Sequence, residues 1–497
     1  MTDLLEAIRQ FAHSAPHRAA ITCEGQTITY EELDRRSSHL AAALSERATA
    51  GERVAYLGKS SADYFVFVVA ALKSHVVPTP INWRLAPPEI IAVLADAECR
   101  HLLIDEHHAT MTPTIIDALP DLHVHPAGEV ETWSTIQAVE PTARLSDSAA
   151  LQIYTSGTTG QPKGVVMSGT ALNAYLTVLA EVTRIRAQGV TLTSLPLFHV
   201  GGTCWVLAGL MQGASSLVMP AFDATDMARL IETEHVDTLL AVPAIINSLL
   251  NDPSVSERDL SSLSTLYYGA GPITPAHLDA ALARWDCDFV QGYGLTECGI
   301  ALALKPEDHR RGDDHLKSCG RPVPGTEIRL VDPESGLDVS TGDVGELWIR
   351  SPIVMSGYWH KPDETREALT PDGWLRTGDV ASQDADGYCY LRDRLKDVII
   401  SGGENVYSGE VENVLASHPA VAECAVIGVP SERWTETVKA IVVLKAGATV
   451  IEAELITYCR ERLARYKAPT SVAFVTALPR NASGKLIKHE LRAAYGQ

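Results

Sequence analysis

The sequence predicts an α/β fold on three grounds. Short apolar runs alternate with helix-like stretches through the first two thirds of the chain. After Arg321, short strands crowd between turns. Beyond Arg394, alternation resumes over about 100 residues, the size of a small domain.

Residues 53–57 (RVAYL) read as a short apolar strand, 62–73 as a buried helix and 76–81 as an extended segment marked by prolines. Strand, helix and strand in that order make a βαβ unit with parallel strands. Residues 151–154 form another strand, which ends in a Gly/Thr-rich turn. Further strands are expected at 192–195, 216–219, 238–242 and 265–268. In the β-rich section, strands at 327–331, 345–350 and 388–391 lie among turns such as Pro371-Asp372-Gly373 and Asp386-Gly387. A boundary is expected near Arg394. Past it, 439–444 and 471–475 read as strands. Leu455, Ile456, Cys459 and Leu463 share one helical face by 3.6-residue periodicity. There is no internal repeat and no low-complexity tract.

At ~150 residues per domain, 497 residues amount to roughly three domain equivalents. The 46% hydrophobic content is ordinary for a globular chain. With 41 Lys and Arg against 62 Asp and Glu, the formal net charge is −21. That argues against a general nucleic-acid binder, which needs clustered cations to meet phosphates. No apolar run approaches the ~18 residues of a membrane span; the longest, 65–72, is short and followed by Lys73. The nine cysteines are odd in number and contain no C-x-x-C pair, so they read as reduced core thiols. The acidic, amphipathic N-terminus does not read as a secretory signal, and a cytoplasmic location is expected.

The strongest chemical signal is Thr155-Ser156-Gly157-Thr158-Thr159-Gly160-Gln161-Pro162-Lys163-Gly164. Its glycines let backbone amides converge without Cβ obstruction. Its hydroxyls add donors, and Lys163 adds a mobile positive charge. The set suits a polyphosphate. No Gly-Lys-Ser/Thr closes it, so it is not the Walker pattern.

This run resembles the phosphate-loop signature of the adenylate-forming superfamily, which includes acyl-CoA synthetases, luciferases and peptide-synthetase adenylation domains. The family's other motifs follow in order. Pro196-Leu197-Phe198-His199-Val200-Gly201-Gly202 resembles its aromatic-His motif, and Tyr268-Gly269-Ala270-Gly271-Pro272 its adenine-site turn. Gln291-Gly292-Tyr293-Gly294-Leu295-Thr296-Glu297 is similar to its nucleotide motif, and Trp374-Leu375-Arg376-Thr377-Gly378-Asp379 to its ribose motif. Asp393-Arg394-Leu395-Lys396-Asp397 resembles the hinge. Ser401-Gly402-Gly403-Glu404-Asn405 and Pro479-Arg480-Asn481-Ala482-Ser483-Gly484-Lys485 complete the set. The resemblance spans essentially the whole chain. Residues 399–407 and Arg465-Tyr466-Lys467-Ala468-Pro469 most resemble bacterial fatty-acyl-CoA ligases.

The resemblance implies a large N-terminal domain, residues 1–394, made of two βαβ-type subdomains plus a β-barrel-like subdomain. It implies a small mobile α+β C-terminal domain, 395–497, hinged near Lys396. The implied reaction has two steps. A carboxylate attacks the α-phosphate of ATP to give acyl-AMP and pyrophosphate, and the thiol of coenzyme A then displaces AMP.

The site residues follow from the same motifs. Thr155, Ser156, Gly157, Thr158, Thr159, Gly160 and Lys163 would hold the β- and γ-phosphates. Glu297, a hard oxygen donor, would hold Mg²⁺. Gly269, Gly271, Gln291, Gly292, Tyr293 and Thr296 would form the adenine site, with the Tyr293 ring stacking on the base. Asp379 would take the ribose hydroxyls, and Arg394 the same ribose or a phosphate. His199 would position the acyl carboxylate. Lys485 would reach over the first active site to the carboxylate and α-phosphate. After rotation, Gly402 and Gly403 would line the pantetheine channel.

Two positions depart from the family pattern. Ser408-Gly409 stands where proline is usual, which predicts a looser start to the next helix. Trp434-Thr435-Glu436 stands where Trp-Gly-Glu is usual, and threonine takes a positive φ only at a cost. Both weigh on the thiolation step. The candidate pocket segments 198–207, 242–246, 269–271 and 292–300 are mostly apolar and small, with Trp205 able to fill volume. They suit a medium- or long-chain fatty acid, an aryl acid or a bulky polycyclic acid. The alternative is an acyl-AMP ligase that loads a carrier-protein pantetheine, so candidate partners are a carrier protein and a second copy of the chain. A luciferase-like oxygenase and a non-catalytic binding protein are weaker readings; intact Lys163, Glu297, Asp379, Arg394 and Lys485 argue against the latter.

Overall fold

The computed structural model describes residues 3–128, 145–156, 162–271, 273–401, 404–431, 433–480 and 486–496. Contacts divide the chain into two compact units, Met1–Ile328 with Ile349–Arg376, and Arg329–Trp348 with Thr377–Gln497. Among the described residues no helix is long and apolar enough to cross a membrane. Seven of the nine cysteines are buried; Cys287 and Cys424 are half-buried.

The first unit contains the expected βαβ units. One sheet runs Val77–Ile81, Arg53–Leu57, His101–Ile104, His123–Pro126, every pairing parallel. The helix Ala62–Lys73 links its first two strands in sequence. Ser61 caps it by accepting from the Tyr64 N–H at 3.2 Å. This helix is buried on all sides, so no polar stripe marks it. Its terminal Lys73 is satisfied: the ammonium donates to the Asp34 carboxylate at 2.6 Å and to Ser37 and Ser38. A nine-stranded sheet has a parallel interior that includes Val190–Thr193, Thr238–Ala241, Thr265–Gly269 and Asp288–Leu295. Both faces of such a sheet are covered, which fits the burial of most residues in these strands.

A third sheet is small and positions the phosphate loop. Ala149–Ser156 pairs antiparallel with Pro162–Ser168, which pairs on its other edge with Gly357–Tyr358. The β-rich section is a four-stranded sheet ordered Glu327–Val331, Val344–Arg350, Leu375–Gln383, Cys389–Arg394.

In the second unit, Val421–Ser431 and Thr435–Leu444 form a long antiparallel hairpin, and Ser471–Phe474 adds in parallel. The expected strands 439–444 and 471–475 are present, but the first begins four residues earlier, because Thr435-Glu436-Thr437 carries no apolar run, and 421–431 was not expected. Leu455 and Cys459 enter the core beneath the sheet, with Leu463 packed against it and Ile456 half-buried. Ser408 does not loosen its helix. It is fully buried, its N–H donates to Asp393, and its hydroxyl accepts from Lys488. Hydrogen bonds replace the rigidity that proline would supply.

Thr435 has φ +68°, the left-handed region that a β-branched side chain adopts at a cost of roughly 1–3 kcal/mol. It closes the hairpin against Ser431 and pairs with Ser401. Thr435→Gly should therefore raise stability by about 1 kcal/mol in urea denaturation, the relief exceeding the glycine's entropy cost.

His101, His123 and His125 crowd one end of the parallel sheet. His101 Nδ1 and His125 Nε2 are 3.1 Å apart and can share only one proton, while His101 Nε2 meets the Arg47 carbonyl at 3.1 Å. The rings of His123 and His125 stack on His101 at 5.3 and 5.4 Å. Burial, then the charge on His101, pushes His125 down from 6.5 to about 4. Burial also lowers His101, against an opposing pull from Glu52. Below pH 6.5 the unfolded chain binds protons that the folded chain resists, so stability falls from about 6.5 towards 4. His125→Asn should flatten that slope, as read by urea midpoints at pH 7 and pH 5.

Candidate active site

The two strands that flank the phosphate loop set its base. Thr155 lies opposite Lys163 in the antiparallel register, and Ser156 opposite Pro162. The Thr155 hydroxyl points to the Lys163 carbonyl at 3.5 Å. Gly157, Thr158, Thr159 and Gly160 lie outside the described residues, as do Gly402, Gly403 and Lys485.

A polar clasp fixes this strand pair. The Tyr154 hydroxyl donates to Asp96 at 2.7 Å, and Lys361 donates to the other Asp96 oxygen at 3.0 Å. Arg53 donates to Gln152 at 2.9 Å, and its guanidinium lies 3.2 Å over the Trp359 ring. Burial pushes the Arg53 guanidinium down to about 10 and the Tyr154 phenol far up. Gly164 is needed for close approach: a Cβ there would stand 2.7 Å from the Gln152 amide. None of Arg53, Asp96, Gln152 or Tyr154 belongs to a motif. Only the tertiary contacts reveal them.

Glu297 joins this cluster through a strap at 355–359. The Met355 N–H donates to the Glu297 carbonyl at 2.8 Å, and Ser356 and Trp359 N–H groups donate to Val166 and Gly164 at 2.8 Å. The Tyr358 hydroxyl donates to Glu297 Oε1 at 2.9 Å, and Lys163 Nζ lies 4.9 Å from the same ring. Burial, followed by the Glu297 charge, pushes the Tyr358 phenol far up, so it stays protonated. Lys163 and Glu297, expected from two separate motifs, thus meet at one tyrosine.

The adenine-site residues form a second group in the same unit. Gly269 pairs with Gly292 across parallel strands, and a Cβ on Gly269 would strike the Gly292 carbonyl. A Cβ on Gly292 would strike the Tyr267 hydroxyl. At Gly271 a Cβ would meet nothing within 4 Å, so packing does not demand glycine there. Gln291 lies 3.5 Å from the Tyr268 hydroxyl, which also meets His309 at 3.0 Å. Tyr293 is 9% exposed, more enclosed than a free stacking face suggests, and Thr296 is half-buried. His199 occupies the N-cap of the helix Val200–Met211 with its ring 4.6 Å from Phe198. Gly202 lets this helix turn press against the Pro196 carbonyl.

The second unit holds Thr377, Gly378 and Asp379 of the ribose motif, and Arg394. Asp379 and Arg394 are register partners, with Arg394 Nε 2.6 Å from Asp379 Oδ1. Asp379 is 5% exposed. The Thr377 hydroxyl donates to the Leu347 carbonyl at 2.6 Å and accepts from the Asp379 N–H at 3.0 Å. Glu346, buried and absent from every motif, accepts from the Gly378 N–H at 3.0 Å and from the Trp348 indole at 2.8 Å. Lys396 sits in the short turn Leu395–Asp397, and burial lowers its ammonium. Asp397 is held by Arg492 at 2.6 Å.

Comparison with known proteins matches this geometry to a family. The profile described as AMP-binding enzyme covers residues 8–359, and that described as AMP-binding enzyme C-terminal domain covers 410–485. The chain belongs to the AMP-binding enzyme family. It is 38% identical over 501 residues to the fatty acid–[acyl-carrier-protein] ligase ScoC of Streptomyces coeruleorubidus, covering 99% of this chain and 96% of that one. It is 38% identical over 488 residues to a feruloyl-CoA synthase of an Amycolatopsis species, covering 98% and 97%. Among solved structures, ATP-bound MatB of Rhodopseudomonas palustris superposes with a TM-score of 0.90 at 29% identity, over 100% of this chain and 99% of that one. The o-succinylbenzoate CoA synthetase of Bacillus subtilis, in complex with its acyl-adenylate, gives 0.88 at 31% identity, over 98% and 97%. The predicted α/β class, with a large N-terminal and a small C-terminal domain, is the fold of these enzymes. The chain is accordingly an AMP-forming ligase of the adenylate-forming superfamily.

Arg394→Ala leaves the buried Asp379 carboxylate without its nearest cation. It should lower stability by about 1–3 kcal/mol in urea denaturation, and Arg394→Lys should recover part of the loss.

Proposed function

We propose that this enzyme joins a hydrophobic carboxylic acid to coenzyme A through an acyl-adenylate. The observation that carries the reading is that Tyr358 joins Lys163 and Glu297, with Thr155 opposite Lys163 in the strand register. A cation, hydroxyl donors and an acceptor-only carboxylate on one strand cluster suit a metal-bound triphosphate.

In the first step the carboxylate of the acid attacks the α-phosphate in line, and pyrophosphate leaves. Lys163 and the hydroxyls hold the terminal phosphates. Positioning and charge neutralisation carry the catalysis. Glu297 would hold Mg²⁺: it is an acceptor-only carboxylate whose Oε1 accepts from a neutral hydroxyl, so its charge is not cancelled, which fits a hard cation. Mg²⁺, when bound, supplies charge neutralisation on the phosphates. Asp379 takes the ribose hydroxyls, with Arg394 orienting it at 2.6 Å. His199 orients the incoming carboxylate, and Lys485 bridges it to the α-phosphate. In the second step the CoA sulfur attacks the acyl carbonyl. The C–S bond forms, the C–O bond to AMP breaks, and the thiol proton goes to solvent. A small domain from residue 395, turning about Lys396, withdraws Lys485 and presents Gly402 and Gly403.

Kinship with a feruloyl-CoA synthase supports an aryl acid and CoA, and kinship with a fatty acid–[acyl-carrier-protein] ligase a fatty acid. Kinship with an acyl-carrier-protein ligase supports a second reading, in which the acceptor is a carrier-protein pantetheine. Pyrophosphate release should be measured with a panel of fatty, aryl and polycyclic acids, and the thioester identified by mass spectrometry after adding CoA or carrier protein. Release with an acid and an acyl-CoA product are expected; an acylated carrier without acyl-CoA would favour the second reading. In the same assay Lys485→Ala should abolish adenylation yet spare thioester formation from supplied acyl-AMP. Equal loss of both steps in a folded variant would refute that role.

A further inference from the structure

One side chain outside every recognised motif touches two proposed phosphate-handling groups. Tyr358 lies 61 residues from Glu297 and donates its hydroxyl to Glu297 Oε1 at 2.9 Å. The face of its ring carries the Lys163 ammonium 4.9 Å from the centroid, within cation–π range.

Its backbone is held from two sides. Tyr358 pairs with Val165, two residues from Lys163, and Gly357 pairs with Val166. On the other side the Thr365 hydroxyl accepts from the Tyr358 N–H at 2.9 Å and donates to the Lys361 carbonyl at 2.7 Å. Gly357 makes this possible: its φ is +145°, and a Cβ there would stand 2.7 Å from Thr365 Cγ2. Sheet pairing therefore fixes the ring relative to Lys163, and the strap that donates from Met355 to the Glu297 carbonyl fixes it relative to Glu297.

We infer that Tyr358 is a positioning residue for metal-nucleotide binding, an inference that rests on the adenylation reading above. Its hydroxyl locks Glu297 in one rotamer, engaging Oε1 and leaving Oε2 for the cation. Its ring holds Lys163 beside the site before the triphosphate arrives. A neutral donor suits this place better than a cation would, because it orients the carboxylate without cancelling the charge that attracts the metal. Tyr358 touches neither the reacting carboxylate nor the α-phosphate in this scheme, so it acts through its two partners.

The hydroxyl and the ring can be tested apart. ATP binding to the full chain should be titrated calorimetrically with and without Mg²⁺, and Mn²⁺ binding followed by electron paramagnetic resonance in the presence of ATP. Tyr358→Phe keeps the ring and removes the donor. It should weaken Mn²⁺ binding about tenfold, the scale for losing a partner that orients a metal ligand, and leave metal-free ATP binding unchanged. Tyr358→Leu should also weaken metal-free ATP binding, because Lys163 loses its platform. Wild-type Mn²⁺ affinity in a folded Tyr358→Phe variant would overturn the inference, as would equal metal-free ATP binding by the Phe and Leu variants. If Tyr358→Leu does not fold, by circular dichroism, the Phe variant decides alone. Failure of the wild-type chain to bind ATP at all would refute the adenylation reading instead.

Discussion

The candidate active site depends on the two-sided pairing of the strand Pro162–Ser168. One edge meets Ala149–Ser156, which brings Thr155 opposite Lys163; the other meets Gly357–Tyr358, which brings in Tyr358 and through it Glu297. Backbone hydrogen bonds set the spacing, so it does not rely on long side chains finding one another. Gly164 permits the closeness of the first pairing, and Gly357 permits the second by its backbone angle. A side chain at either would separate groups that come from three distant parts of the sequence.

This arrangement resolves an apparent conflict in the composition. A chain of net charge −21 has no broad basic surface for a polyanion. Three of its cations instead each meet a defined partner. Lys163 lies on an aromatic face, Arg394 pairs with Asp379, and Arg53 stacks on Trp359 while it donates to Gln152. Local geometry, more than net charge, then decides whether a phosphate is held. The same economy operates in the core, where Lys73 is fully engaged by Asp34, Ser37 and Ser38.

The second unit illustrates how departures from a family pattern are absorbed. At Ser408 the lost proline is replaced by bonds to Asp393 and Lys488 and by complete burial. At Thr435 the φ stays positive, at the closing end of a long hairpin beside Ser401. One departure is offset by neighbours distant in the sequence, 15 and 80 positions away. The other kept the backbone angle that the sequence pattern demands.

Sequence alone determined the α/β class, the βαβ units and the family, because apolar periodicity and contiguous motifs are local signals. It also singled out Thr155, Lys163, Glu297, Asp379 and Arg394 as candidates, because their chemistry is legible from residue type within a motif. Strand limits were less legible where polar residues begin a strand, as at Thr435-Glu436-Thr437. Tertiary structure alone decided which motifs meet. It placed Tyr358 between Glu297 and Lys163, set the clasp of Asp96, Tyr154 and Lys361 against the loop strands, and buried Glu346 under Gly378. Those residues act through partners tens to hundreds of positions away, and no local pattern encodes a contact that only sheet pairing creates.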